Sequence, residues 1–228
     1  LNTSKRVIEE VAVEPATEEE IAGTIKVMGG EDWELWMNAL NDAGVLADNV
    51  KTVAYTYIGK KLTWPLYGKA TIGRAKEDLD RAASEIRKVT NHLNGEAFVT
   101  SLNAVVTQAS SAIPIMPLYI SSLFKVMKAD GTQENPIHQI QGLFRDNLYS
   151  TERSIGEHNR LMQNLKELED DVQDRVQTIW DSVDTDTIDE LTDYTGYHHE
   201  FLKLFGFEVD GVDYDADVSP LAEINNLV

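Results

Sequence analysis

The chain has no cysteine. That excludes disulfides, thiolate metal sites, iron–sulfur ligation and a cysteine nucleophile, and it fits a reducing compartment. Positive charge is also scarce: 20 Lys and Arg stand against 39 Asp and Glu, for a net charge of −19. Nucleic acid is therefore not an expected partner, because its phosphates demand lysine and arginine. No basic-then-apolar leader opens the chain. The one long uncharged run, Ala97 to Phe124, holds nine Ser, Thr, Asn or Gln residues together with Pro114 and Pro117. A stable membrane span is excluded on that count. P-loop, G-x-S-x-G and G-x-G-x-x-G motifs are all missing.

Metal motifs fail in the same way. His198 and His199 are adjacent, whereas a metalloprotease helix needs its histidines four apart. Asp213, Asp215 and Asp217 begin like a calcium loop, but Val218 stands where that loop needs glycine. No metal is expected.

What is present suits a globular chain. Its 228 residues are 42% hydrophobic, enough for one large domain or two small ones. Charge is unevenly spread: Lys51 to Lys88 carries +5 and the remainder −24. Such an island can steer phosphate-bearing ligands, although i,i+4 ion pairs on a solvated face account for Arg81, Arg87 and Lys88.

The island coincides with the most informative stretch, Tyr55 to Lys76. Lys51 to Tyr57 is β-branched and aromatic and stops at Gly59, which predicts a strand feeding a loop. From Ile72 the apolar residues Ala75, Leu79, Ala82, Ala83 and Ile86 follow at helical spacing, with Lys76 in the opening turns. On one continuous helix Tyr67 and Lys76 would face opposite ways, so Tyr67 must lie off the helix if the two cooperate. A phenol has an ordinary pKa of about 10 and is a proton donor near neutrality. A nearby ammonium is expected to draw that value down, making Tyr-plus-Lys a reasonable acid for an oxygen that gains negative charge.

Elsewhere the sequence predicts an edge strand over Arg6 to Val13 and a helix from a Thr17/Glu20 capping box to about Met28. A second helix follows, with Trp33, Trp36, Met37 and Leu40 as its core stripe. A buried strand is predicted from Ala97 to about Thr100, then helices over Pro117 to Lys128 and Pro136 to Leu148, one ending near Trp180, one through Leu191 and one over Tyr197 to Phe205.

The string T-Y-I-G-K-K-L-T-W-P-L-Y followed by T-I-G-R-A-K-E-D-L-D-R-A-A closely resembles the FabV-type enoyl-acyl-carrier-protein reductases and the related trans-2-enoyl-CoA reductases. Blocks beginning at Pro15, Val106 and Phe201 agree with it. The resemblance implies an α/β fold, the helix-rich C-terminal part of a Rossmann-like (extended short-chain-dehydrogenase-like) fold. It implies that residues 1–228 are the C-terminal catalytic portion of one such domain, the dinucleotide-loop half lying upstream. It implies NADH-dependent reduction of the double bond of a trans-2-enoyl thioester carried by coenzyme A or acyl carrier protein, in a cytoplasmic monomer of fatty-acid synthesis. Tyr67 and Lys76 match the family's catalytic pair, Lys76 also holding the nicotinamide ribose. Tyr57 matches its substrate contact, and Val105, Val106 and Thr107 its nicotinamide-contacting segment. Lys60, Lys61 and the Gly68-Lys69-Ala70 segment depart from the family pattern beside that pair. Two other expectations stand beside this one: a truncated, non-catalytic fragment, and an acidic interaction module derived from the family.

Overall fold

Three parallel strands, in the order β1-β2-β3, carry the arrangement. In this computed structural model residues 1–163, 165–219 and 221 are described. Helices α1 (Glu18–Met28) and α2 (Glu31–Asp42) precede strand β1 (Lys51–Thr56). A single turn, α3 (Trp64–Tyr67), and the long helix α4 (Thr71–Val89) lead to β2 (Glu96–Ser101). Next come α5 (Gln108–Ala112), α6 (Met116–Ala129) and α7 (Pro136–Gly142), the last widening into a π-helical stretch, Leu143–Leu148. The short strand β3 (Leu161–Met162) is followed by α8 (Asp170–Ser182), α9 (Ile188–Leu191) and α10 (Tyr194–Lys203). Two strands joined by a crossover helix, with helices on both faces, make this part of a Rossmann-like α/β fold.

Strand periodicity explains the layers. Along β2 successive side chains point to opposite faces. Ala97 joins Met37 and Ile86 on the face covered by α2 and α4. Phe98 joins Leu143, Leu148 and Leu161 on the other. Ile86 is fully buried, so Ile86→Ala should cost about 2–5 kcal/mol, read as a lowered denaturation midpoint. At the amino-terminal edge of the sheet, Arg153 and then Lys51 hold the Glu96 carboxyl down at about 2.

The third cluster surrounds α6. Every residue from Met116 to Phe124 is buried, against α8 and α10. Its two serines are tolerated there because their hydroxyls donate back to helix carbonyls, Ser121 to Pro117 at 2.6 Å and Ser122 to Leu118 at 2.9 Å. The charge-free run from Ala97 to Phe124 is thus divided among β2, α5 and the buried start of α6. Among the described residues no helix is long and apolar enough to cross a membrane.

Most expected elements form. The Thr17/Glu20 capping box is complete, and Asn94, left-handed at φ 55°, closes the turn after α4. The edge strand expected over Arg6 to Val13 does not form. The nearest pairing is an isolated antiparallel bridge between Asn2 and Val7, and the Ile8 amide donates to the Thr185 hydroxyl instead of a sheet. Weak alternation without a neighbouring sheet edge is insufficient to make a strand.

Candidate active site

The loops leaving the carboxyl ends of parallel strands are where open α/β sheets bind ligands. Here the loop after β1 carries Tyr57 and then α3, which ends on Tyr67. Gly68 and Ala70 separate α3 from α4, so Tyr67 lies off the long helix, as cooperation with Lys76 requires. The two helices touch closely at Gly73, where a Cβ would stand 2.4 Å from the Gly68 carbonyl oxygen. Gly73→Ala should therefore push Tyr67 away from Lys76. For any reaction that needs the two side chains together, a displacement on the scale of 1 Å should lower kcat/KM by about 10²-fold. Steady-state kinetics alongside a melting curve would check it.

Tyr67 and Lys76 line one cavity of about 520 Å³ with Lys60, Trp64, Asp80 and Arg160. The Tyr67 ring is buried at 8% exposure and packs edge-on against Tyr57, centroids 4.7 Å apart at 87°. Burial, and after it the charge of Glu167, push the Tyr67 phenol up to about 12. The expected downward pull by lysine is absent. Lys76 Nζ lies over the ring, 5.6 Å from its centroid, and donates to the Thr56 hydroxyl at 2.7 Å. Burial, then the nearby Arg160, lower the Lys76 ammonium to about 8, with Asp80 opposing. Arg160 is itself held by Asp80 through two bonds, of 2.9 and 2.5 Å. The result is a phenol that stays protonated near neutrality beside an ammonium poised to lose its proton.

Tyr57 has a different environment. Its hydroxyl donates to Glu167 at 2.7 Å and lies 3.1 Å from that of Thr63. Burial, then the Glu167 charge, push this phenol well above its ordinary value. Val105, Val106 and Thr107 follow β2 and do not line the Tyr67 cavity. Val106 is buried, while Thr107 caps α5 by accepting from the Ser110 amide at 3.0 Å. The two lysines of the turn after Gly59 also find partners. Lys60 donates to the Leu168 carbonyl at 2.8 Å and pairs with Asp170 at 2.7 Å, and Lys61 pairs with Asp174. Together they clamp the turn to α8.

Unpartnered polar atoms gather at the same sheet edge. The hydroxyls of Thr100 and Ser101, both carboxamide atoms of Asn103 and Nε2 of Gln139 are buried without hydrogen bonds. Such orphans normally mark a missing partner.

Glu167 escaped the sequence reading, which gives only a helix ending near Trp180 for this stretch. Nothing local distinguishes it from Glu169, Asp170 or Asp171; only its contacts with residues 57, 104 and 119 do.

Comparison with known proteins adds independent findings. The family model described as the trans-2-enoyl-CoA reductase catalytic region matches residues 1–149, and that described as the enoyl reductase FAD binding domain matches 155–218. The NADH-type enoyl-acyl-carrier-protein reductase of Colwellia psychrerythraea is 74% identical over 227 residues, covering 100% of this chain and 57% of that protein. Its counterpart from Pseudoalteromonas translucida is 67% identical over 228 residues, with the same coverage. Among solved structures, Clostridium acetobutulicum trans-2-enoyl-CoA reductase in complex with NAD superposes with TM-score 0.91 at 42% identity, over 96% of this chain and 57% of that one. The Treponema denticola enzyme in complex with NAD gives 0.88 at 43%, over 93% and 53%. The chain spans a little over half the length of each.

Residues 155–218 do not fit a flavin. Among the described residues of that stretch no strand, glycine-rich turn and helix combine to take a dinucleotide phosphate. Its buried Glu167 and Gln173 are already bonded within the protein.

Proposed function

We infer function from one premise: this chain belongs to the trans-2-enoyl-CoA reductase family. The reading is that residues 1–228 form the C-terminal catalytic portion of one Rossmann-like reductase domain. A glycine-rich dinucleotide turn would be contributed by residues outside them. The protein reduces the 2,3-double bond of a trans-2-enoyl thioester, carried by coenzyme A or acyl carrier protein, with NADH. It acts as a cytoplasmic monomer in fatty-acid synthesis.

One observation carries this reading: the Tyr67 hydroxyl has no hydrogen-bond partner among the described residues, and Tyr67 lines the same cavity as Lys76. Val105, Val106 and Thr107, which follow β2, would flank the nicotinamide. When bound, NADH supplies the hydride taken by the β-carbon of the substrate. The negative charge that then develops on the thioester oxygen needs a donor, and Tyr67, protonated at any pH near neutrality, stabilises and protonates it. Lys76 would hold ribose hydroxyls and present its positive charge to the same region, assisting the tyrosine. Tyr57 would bound the substrate near its carbonyl.

The experiment is NADH consumption by the protein at the length of its relatives, with trans-2-enoyl-CoA and trans-2-enoyl acyl carrier protein offered separately. One saturated thioester should form per NADH consumed, with at least one carrier. No consumption with either would overturn the reading.

A further inference from the structure

The most buried ionisable group near the site has no part in the reaction as described above. Glu167 is fully buried and faces no lysine or arginine among the described residues. Its carboxyl is instead enclosed by donors from three separate segments. Oε1 accepts from the Tyr57 hydroxyl at 2.7 Å and from the Tyr119 hydroxyl at 2.7 Å. Oε2 accepts from the Ala104 amide at 2.6 Å. Gln173 braces the arrangement, its Nε2 donating to the Tyr119 oxygen at 2.9 Å and to the Glu167 carbonyl at 2.8 Å.

These bonds have directions. An amide N–H can only donate, so Oε2 must accept. A carboxylate takes both phenol protons at Oε1, whereas a protonated carboxyl would donate its own proton to one phenol and release that hydroxyl to point elsewhere. Which phenol protons are free in this site therefore depends on Glu167. Its carboxylate engages the proton of Tyr57, and Tyr57 is the ring packed edge-on against Tyr67. It also fixes the amide of Ala104, the residue before Val105 to Thr107.

We propose that Glu167, as a carboxylate, is the positioning residue of this site: it holds the hydroxyl of Tyr57 and the amide of Ala104, leaving Tyr67 as the phenol whose proton is free for substrate. The proposal rests on the reductase reading and deepens it. It joins residues 155–218 to the site through a structural carboxylate, in the stretch where a flavin does not fit. The titratable groups facing Glu167 are Tyr57 from the loop after β1, Tyr67 from α3 and Tyr119 from α6; α8 contributes the neutral Gln173. Burial raises the Glu167 carboxyl above its ordinary value while the three donors oppose that rise, the Ala104 amide foremost. Loss of a donor should raise it further.

The test compares Glu167→Gln and Tyr119→Phe with the unaltered protein at the length of its relatives. In that protein kcat should fall on the acid side as Glu167 takes up a proton. Glu167→Gln should lower kcat about tenfold or more, remove the acid limb and leave the KM for NADH within about threefold. Tyr119→Phe keeps the ring and removes one donor, so its acid limb should move to higher pH. Difference infrared spectroscopy supplies a reading without substrate: a carboxyl band should titrate in the unaltered protein, titrate at higher pH in Tyr119→Phe and vanish in Glu167→Gln. A folded Glu167→Gln variant with unchanged kcat and pH profile would overturn the proposal. If that variant does not fold, Tyr119→Phe decides, and an acid limb and carboxyl band that stay in place would overturn it equally. An unaltered protein that reduces no enoyl thioester would instead sink the reductase reading, which the infrared titration does not depend on.

Discussion

Tyr67→Phe is expected to lower kcat by about 10²–10⁴-fold, the range that general-acid catalysis contributes, with little change in the fold. The substitution removes only the hydroxyl, and that oxygen bonds to nothing within the described protein. The ring contact with Tyr57 and the position under Lys76 are both made by ring atoms that phenylalanine keeps. Stability should therefore stay within about 1 kcal/mol, in contrast with substitutions that strand a buried polar partner. Stopped-flow kinetics with enoyl thioester, paired with a melting curve, would check both halves. A variant retaining full kcat would remove Tyr67 from the chemistry. A variant losing its melting transition would show that the hydroxyl is structural.

Removing the lysine should act through pH as well as through magnitude. The Lys76 ammonium sits at about 8, so its charge is present below that value and lost as pH rises through it. Activity that needs the charge should decline on the alkaline side with a midpoint near 8. Lys76→Met should lower kcat/KM by about 10²–10³-fold and abolish that limb, judged on the scale of a lost charged contact in a partly desolvated site. Stability should move in the opposite direction. The folded value lies below the ordinary 10.5, so between about 8 and 10.5 the unfolded chain binds more protons and stability rises with pH. Below about 8 the folded protein carries the full cost of that buried charge. Lys76→Met should then melt higher than the unaltered protein at neutral pH, with the difference shrinking toward pH 10.5. Equal melting temperatures at neutral pH would contradict the burial argument.

Much of this arrangement was legible in residue order because it depends on local patterns. The 3.6-residue spacing from Ile72 to Ile86 predicted α4, and the nine-residue separation of Tyr67 and Lys76 required Tyr67 to lie off that helix if the two cooperate. The β-branched and aromatic residues of Lys51 to Tyr57 and the uncharged run from Ala97 predicted two strands of the sheet. The two-residue β3 was not legible. A strand that short is defined by pairing with Thr100 and Ser101, not by its own side chains. The edge strand expected near Arg6 failed for the converse reason, a weak pattern with no sheet to join.

The electrostatics of the site depend on residues distant in the chain. Lysine at the start of α4 is visible in sequence, and its effect on a phenol was expected to be downward. The actual balance is set by the burial of Tyr67 and by Glu167, one hundred positions away, and it runs upward. A phenol that holds its proton more firmly is available near neutrality as a proton donor and not as a base. The resemblance pointed to Tyr67 and Lys76; only the packing sets the protonation state in which they stand.

The central claim is that Tyr67 offers its proton to the oxygen of a thioester lodged at the carboxyl edge of the sheet. The most direct measurement is a crystal structure of the protein at the length of its relatives, with oxidised dinucleotide and an acyl thioester bound. The account predicts the thioester oxygen about 2.5–3.0 Å from the Tyr67 hydroxyl, and Lys76 Nζ turned from Thr56 toward the ribose. A thioester oxygen bonded to some other donor, with the Tyr67 hydroxyl facing away from it, would contradict the account.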